Sequence, residues 1–167
     1  MSKFIPRVWR VPLHRKLVFA EAMLGTAAAW IMIRLVPYRI WRSRLGTPVP
    51  LASSQLRGVA ARVSDKEPLK EIAWAHGLLA RLFGKQFTCL MLAFSARGML
   101  RRRKMPSLLV LGVKRSPGVT AKRLGAHAWV LSGNFEVVGG DSGGGYAPIA
   151  AYSDTFQGAG AIGRGAQ

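Results

Sequence analysis

Cys89 is the only cysteine in the 167-residue chain, and it stands at the start of a helical pattern. Apolar residues recur through Leu90, Leu92, Ala93, Ala96, Met99 and Leu100, and the run closes on Arg101-Arg102-Arg103-Lys104. That spacing predicts a helix with a buried face and a cationic last turn, which the helix dipole favours. Thr88 is the expected N-cap. Cys89 then takes the first helical position, where the positive end of the dipole favours a thiolate. A thiol nucleophile also needs a base within hydrogen-bond reach and a third group to orient that base.

The candidate bases are His14, His76 and His127. His14 lies in a basic N-terminal segment, and His76 in a helix among large apolar neighbours. His127 opens a strand whose alternation puts His127, Trp129 and Leu131 on one face. An imidazole held on a rigid strand facing a helix N-terminus is a workable base. A hairpin after Leu131 brings Phe135-Glu136-Val137-Val138 back beside the histidine strand, so its far end, and with it Asp141, lands near His127. On geometry the orienting acids rank Asp141, then Glu136, which is closer to the turn, then Asp154. A bland reading competes: a lone cysteine in an apolar helix is usually a small core residue, and a histidine before Ala-Trp a plain strand residue.

The elements that must position these groups follow from the periodicity. Residues 1–16 are basic and broken by Pro6 and Pro12. Leu17 to Val36 reads as an apolar helix of about spanning length, but Glu21 and Arg34 interrupt it and Pro37 ends it. A buried or partner-covered helix is expected there. Gly46-Thr47-Pro48-Val49-Pro50 reads as a linker, since two prolines forbid a continuing helix. An amphipathic stretch from Ser53 or Ser54 to about Val63 follows, then a turn and a helix from Pro68 to Phe83, with Gly84 as its stop. After the cysteine helix the period changes. Ser107 to Val113 is a buried strand, Lys114 to Gly125 a basic loop, Ala126 to Leu131 a second strand, and Phe135 to Val138 a third beyond a Ser132-Gly133-Asn134 turn. The Gly- and Ala-rich tail after Tyr152 has little to bury. Helices first and an antiparallel sheet after define an α+β fold.

Composition sets the outer limits. The hydrophobic content of 50% excludes a disordered chain, and the length suits one modest core. The net charge of +18, from 25 basic and 7 acidic residues, favours polyanions, anionic membrane surfaces or acidic partners. One cysteine permits no intramolecular disulfide and suits a reducing, cytoplasmic interior. No secretory signal is expected, because the first apolar run has no cleavage-like end. Nucleic-acid binding fits the charge, yet aromatics are not interleaved with the basic runs and no known motif is present.

Several stretches together resemble a known family: Thr88-Cys89-Leu90 with Ala93, Leu100-Arg101-Arg102-Arg103-Lys104-Met105-Pro106-Ser107, Leu109 to Val113, Ala126-His127-Ala128-Trp129-Val130, Val137-Val138-Gly139-Gly140 and Tyr146-Ala147-Pro148. The N-terminal apolar helix, with its Leu-Val-Pro-Tyr-Arg ending and short proline linker, also fits. The chain is similar, up to about Tyr152, to the transglutaminase-like leader peptidases of lasso-peptide biosynthesis, the C-terminal part of the microcin-processing protease. The resemblance implies N-terminal helices followed by a transglutaminase- or papain-like core, with the catalytic helix packed on a small antiparallel sheet. Residues 1–50 would form the N-terminal helical segment, 51–155 the protease core and 156–167 a flexible tail.

The implied activity is a cysteine protease that cuts the lasso precursor peptide at the leader–core junction, without a cofactor or metal. Cys89 matches the nucleophile and His127 the base, and Asp141 falls where the acid is expected. Backbone N–H groups near Cys89 and Leu90 would be the oxyanion donors. Trp129 reads as a wall of the site or as core packing. A separate asparagine-synthetase-like cyclase would use ATP to close the ring. Family members with an added winged-helix-like module grip the leader themselves. Residues 1–50 are too short and too helical for it, which implies a separate leader-recognition (PqqD-like) protein. Membrane or exporter contact by Leu17–Val36 stays open. A transglutaminase-like acyl transferase is the rival within the enzyme class, because both share an acyl-enzyme.

Overall fold

The computed structural model describes residues 12–51, 65–84, 86–115, 124–139 and 145–154. The amphipathic stretch expected before Val63, and the expected tail beyond Asp154, lie outside these residues. The chain begins with helix α1, Leu13–Leu35. Val36 and Pro37 break it, and a short helix α2, Tyr38–Trp41, runs into a 3-10 turn over Arg42–Leu45. Helices α3, Glu67–Phe83, and α4, Cys89–Arg102, follow. The strands are β1 (Thr47–Val49), β2 (Ser107–Arg115), β3 (Leu124–Ser132), β4 (Phe135–Val138) and β5 (Ala147–Asp154). They form one antiparallel sheet in the order β1-β5-β2-β3-β4. The fold is α+β, as the sequence pattern requires.

Two strands depart from the sequence reading. Thr47–Val49, expected as a linker, pairs with Ala151–Ser153. Its proline is tolerated because β1 is an edge strand, where a missing N–H costs no ladder bond on the open side. Thus the segment before Pro50 is part of the sheet, and α1 packs directly on α3 and α4. The second departure is β5, which sits between β1 and β2.

Helix α4 is the hub. It contacts α1, α3, β2, β3 and β4, and Met91, Leu92, Ala93, Ser95, Ala96, Arg97, Met99 and Leu100 are all buried. Burial on so many sides exceeds the single buried face its periodicity suggests. The main core joins α4 to Leu69, Ile72, Ala75 and Leu79 of α3 and to Leu109, Ala128 and Val130 of the sheet. The opposite sheet face carries a smaller cluster of Leu108, Val110, Trp129 and Ala151, with Leu131 and Tyr146 against it. This split follows the two-residue period of a strand.

Strand β4 pairs with only the last part of β3. Val130 faces Val138 and Leu131 faces Glu136, so Val137 is an extra residue. Such a bulge breaks the alternation, and Val137 and Val138 both enter the main core. Beyond Val138 the ladder ends, and β3 continues past it toward His127.

Candidate active site

The local sequence builds a firm start for α4. Thr88 is extended (φ −77°, ψ 159°), and its Oγ1 accepts the Met91 N–H at 3.4 Å. The Thr88 N–H in turn donates to the Met91 sulfur at 3.5 Å. A thioether here fills the reciprocal role usually taken by Glu or Gln in a capping box. Cys89 is therefore the first helical residue, with intermediate exposure. Its N–H and that of Leu90 belong to the first turn and have no intrahelical acceptor.

A cavity of about 640 Å³ lies between α3, the start of α4 and the end of β4. Cys89, Phe87 and Leu92 line it from one side, and Ala73, His76, Gly77 and Ala80 from α3. His127 and the run Glu136 to Gly139 close it from the sheet. The sole thiol and two imidazoles, those of His76 and His127, thus share a cavity of a size that admits a peptide side chain and its neighbours.

His127 is half-buried, and its Nε2 lies 2.8 Å from the Gly139 carbonyl oxygen. A carbonyl can only accept, so Nε2 carries the proton of the neutral ring and Nδ1 is left as the acceptor. The ring also stacks on Trp129, at 6.0 Å and 24° between planes. Tyr146 meets it at 4.9 Å. Gly139 can approach so closely only because it is glycine. Its φ is +123°, and a Cβ would fall 2.2 Å from the Trp129 Cβ.

The other candidates are placed as follows. Leu90 packs half-buried against the main core. Trp129 is buried on the sheet face away from the helices, where the His127 ring stacks on it. Glu136 lines the cavity with Cys89 and His127. Asp141 lies outside the described residues. Asp154 belongs elsewhere: it pairs with Ser107 on β2, whereas His127 pairs with Gly112. Five residues along one strand is about 16 Å. There Asp154 faces the buried Arg97, at 3.7 Å. His14 meets Glu71 at the surface, at 2.9 Å. Among the described residues no cluster of three His, Cys, Asp or Glu side chains is placed to hold a metal ion.

His76 is buried and lines the same cavity, which its setting among apolar residues did not foretell. Its Nδ1 lies 2.9 Å from the Ile72 carbonyl and its Nε2 3.0 Å from Ser95 Oγ. Burial lowers its pKa from the ordinary histidine value, although the Ile72 carbonyl and the Glu21 charge oppose the shift. The Gly139 carbonyl and Tyr146 were also not singled out for the site. Their one sequence signal is their place in the Val-Val-Gly-Gly and Tyr-Ala-Pro runs.

A thiol at a helix start and an imidazole on a strand of the antiparallel sheet thus line one cavity of an α+β domain. The chain belongs to the transglutaminase-like superfamily, which it matches over residues 32–151. That span contains Cys89, His127 and most of the sheet, and the superfamily includes cysteine proteases and acyl transferases. No curated protein and no solved structure matches the chain significantly.

Proposed function

We propose that the protein is a cysteine peptidase that removes the leader from a ribosomally made lasso precursor peptide in the cytoplasm. The observation that carries the reading is the shared cavity of Cys89 and His127, with the imidazole tethered through Nε2 so that Nδ1 can take a proton. In the proposed reaction His127 Nδ1 accepts the Cys89 proton, and the sulfur attacks the carbonyl at the leader's end. The oxyanion is met by the free N–H groups of the first α4 turn. Protonated His127 gives its proton to the departing amine of the core peptide. Water then attacks the thioester, again assisted by His127, and releases the leader carboxylate and the thiol.

The motif run around Cys89 and His127 is what favours a lasso leader over other peptides. Under this reading a separate PqqD-like protein presents the leader, and an ATP-using asparagine-synthetase-like cyclase joins the freed amine to a side-chain carboxyl. The surplus of cationic residues would favour an acidic leader or partner. The test mixes the full chain, the leader-binding protein and the precursor, and follows masses. Two fragments summing to precursor plus water are expected, and none with Cys89→Ala. Cleavage by Cys89→Ala at the rate of the unaltered protein would overturn the mechanism. A product that has gained an amine rather than water would assign an acyl transferase instead.

A further inference from the structure

Helix α1 turns mostly small residues inward and most of its leucines and isoleucines outward. Val18, Ala22, Thr26 and Ala29 are its buried residues. Gly25 lies so close to α4 that a Cβ there would fall 2.6 Å from Ser95 Oγ. The large side chains point away from the core: Leu13 and Leu24 are each 72% exposed, Leu17 63%, Ile31 50% and Leu35 72%. Steps of four, seven, seven and four residues put them on one stripe of the helix. Tyr38 and Ile40, 56% and 65% exposed, extend the apolar surface onto α2. An exposed ridge of this extent marks an interaction surface.

The surroundings of the ridge specify its occupant. No Asp or Glu occurs between Glu21 and Asp65, whereas Arg34, Arg39, Arg42 and Arg44 all fall there and are exposed. Trp30 borders the ridge with the Arg34 guanidinium 5.9 Å from its ring centre. A groove of about 500 Å³ between α1, α2 and α4 shares Ile31 and Ile40 with the ridge and is flanked by Arg44. An apolar ridge, an aromatic border and cations without interspersed acids together match an anionic bilayer surface.

Helix α1 has 23 residues, and an 18-residue stretch of it has a mean hydropathy of 1.5, so by length and composition it could cross a membrane. Its other face, however, packs on α3 and α4, and Glu21 on that side pairs with Arg102 and Arg103. Crossing would carry those charges into hydrocarbon or strip α1 from its core. We infer that α1 and α2 dock the protein flat on an anionic lipid surface, the ridge entering the acyl boundary and the four arginines meeting the phosphates. This surface is independent of the peptidase reading.

The test is flotation of the full chain with vesicles of phosphatidylcholine alone and with added phosphatidylglycerol. Binding to the anionic vesicles is expected, released by alkaline carbonate. Leu24→Asp/Ile31→Asp should weaken it by about tenfold or more. Arg39→Gln/Arg42→Gln/Arg44→Gln should weaken it by about a hundredfold at low salt. Because all five positions are exposed, both variants should retain the native circular dichroism spectrum. The inference is overturned by absence of flotation, by flotation unchanged in the Asp variant, or by carbonate-resistant insertion. It is also overturned if the unaltered chain sediments as a dimer that the Asp variant converts to monomer, since a second copy would then cover the ridge.

Discussion

The Nε2 of His127 lies 2.8 Å from the carbonyl oxygen of Gly139, immediately after β4. Under the proposed function this main-chain carbonyl holds the imidazole in place, a task for which Asp141 and Glu136 are the side-chain candidates. It fixes the tautomer without adding charge to the cavity. The prediction concerns the residue that delivers this carbonyl. Gly139→Ala should lower leader cleavage by about a hundredfold, because a Cβ 2.2 Å from Trp129 forces the carbonyl away from the imidazole. Positive φ at a non-glycine residue also costs about 1–3 kcal/mol. Single-turnover cleavage beside a urea titration separates the two effects: activity should fall much further than the folded fraction. Cleavage that merely tracks stability would remove the tether from the mechanism.

The cap of α4 ties stability to the position of Cys89, the proposed nucleophile. Thr88→Ala loses the Oγ1 acceptor for Met91 N–H and should cost about 1 kcal/mol. The first turn should then fray, and cleavage should fall by several fold at temperatures where the domain is still folded. Thr88→Ser keeps the oxygen and should recover both quantities. Differential scanning calorimetry with parallel cleavage assays checks this, and equal loss in the Ser and Ala variants would contradict it.

Most of this architecture was legible in local patterns, and the exceptions share a cause. Helices α1, α3 and α4 and strands β2, β3 and β4 carry long or strongly alternating apolar runs. Strand β5 buries only Ala151 and Ser153, small residues with no hydrophobic signature. Strand β1 reads as a linker because Pro48 and Pro50 flank Val49. Both strands exist through non-local pairing, which no window of residues records. The site divides the same way. A lone cysteine at a helix start and a histidine on a strand are visible as residue types, whereas the Gly139 acceptor is main chain, and no side-chain pattern announces it. Asp154, equally visible as a type, belongs to the pair with Arg97 instead.

That pairing gives a prediction of its own. Arg97 is 3% exposed, and its Nη1 donates to the Leu45 carbonyl, joining α4 to the turn before β1. Its Nε faces Asp154 across 3.7 Å. Asp154→Ala strands a buried cation and should cost about 3–5 kcal/mol. Burial already pulls the Arg97 pKa down, with the Asp154 charge opposing that shift. Activity per folded molecule should nevertheless stay within about twofold, since Asp154 is about 16 Å along the sheet from His127. A large fall in kcat at full folding would restore Asp154 to the active site.

Acid should weaken the fold first at His76. Its folded-state pKa is lowered by burial, so the native protein holds it neutral while the unfolded chain takes up a proton below about pH 6.5. Stability should therefore fall as pH drops below 6.5, with a slope of at most about 1.4 kcal/mol per pH unit for one proton. The loss should continue until the folded protein itself binds that proton. Glu21 acts in a separate, lower window. Its hydrogen bond to Arg103 holds its carboxyl below the ordinary value of 4.5, helped by Arg102 and opposed by burial. Its contribution is thus intact above 4.5 and lost as pH falls through the lowered value. His76→Gln should be less stable than the unaltered protein at pH 7.5, having lost the fitted contacts to Ile72 and Ser95. Between pH 6.5 and 5.5 its stability should change less than that of the unaltered protein. Urea titrations of both proteins across that range measure the difference in slope, and parallel pH profiles would show that His76 is not the group that titrates.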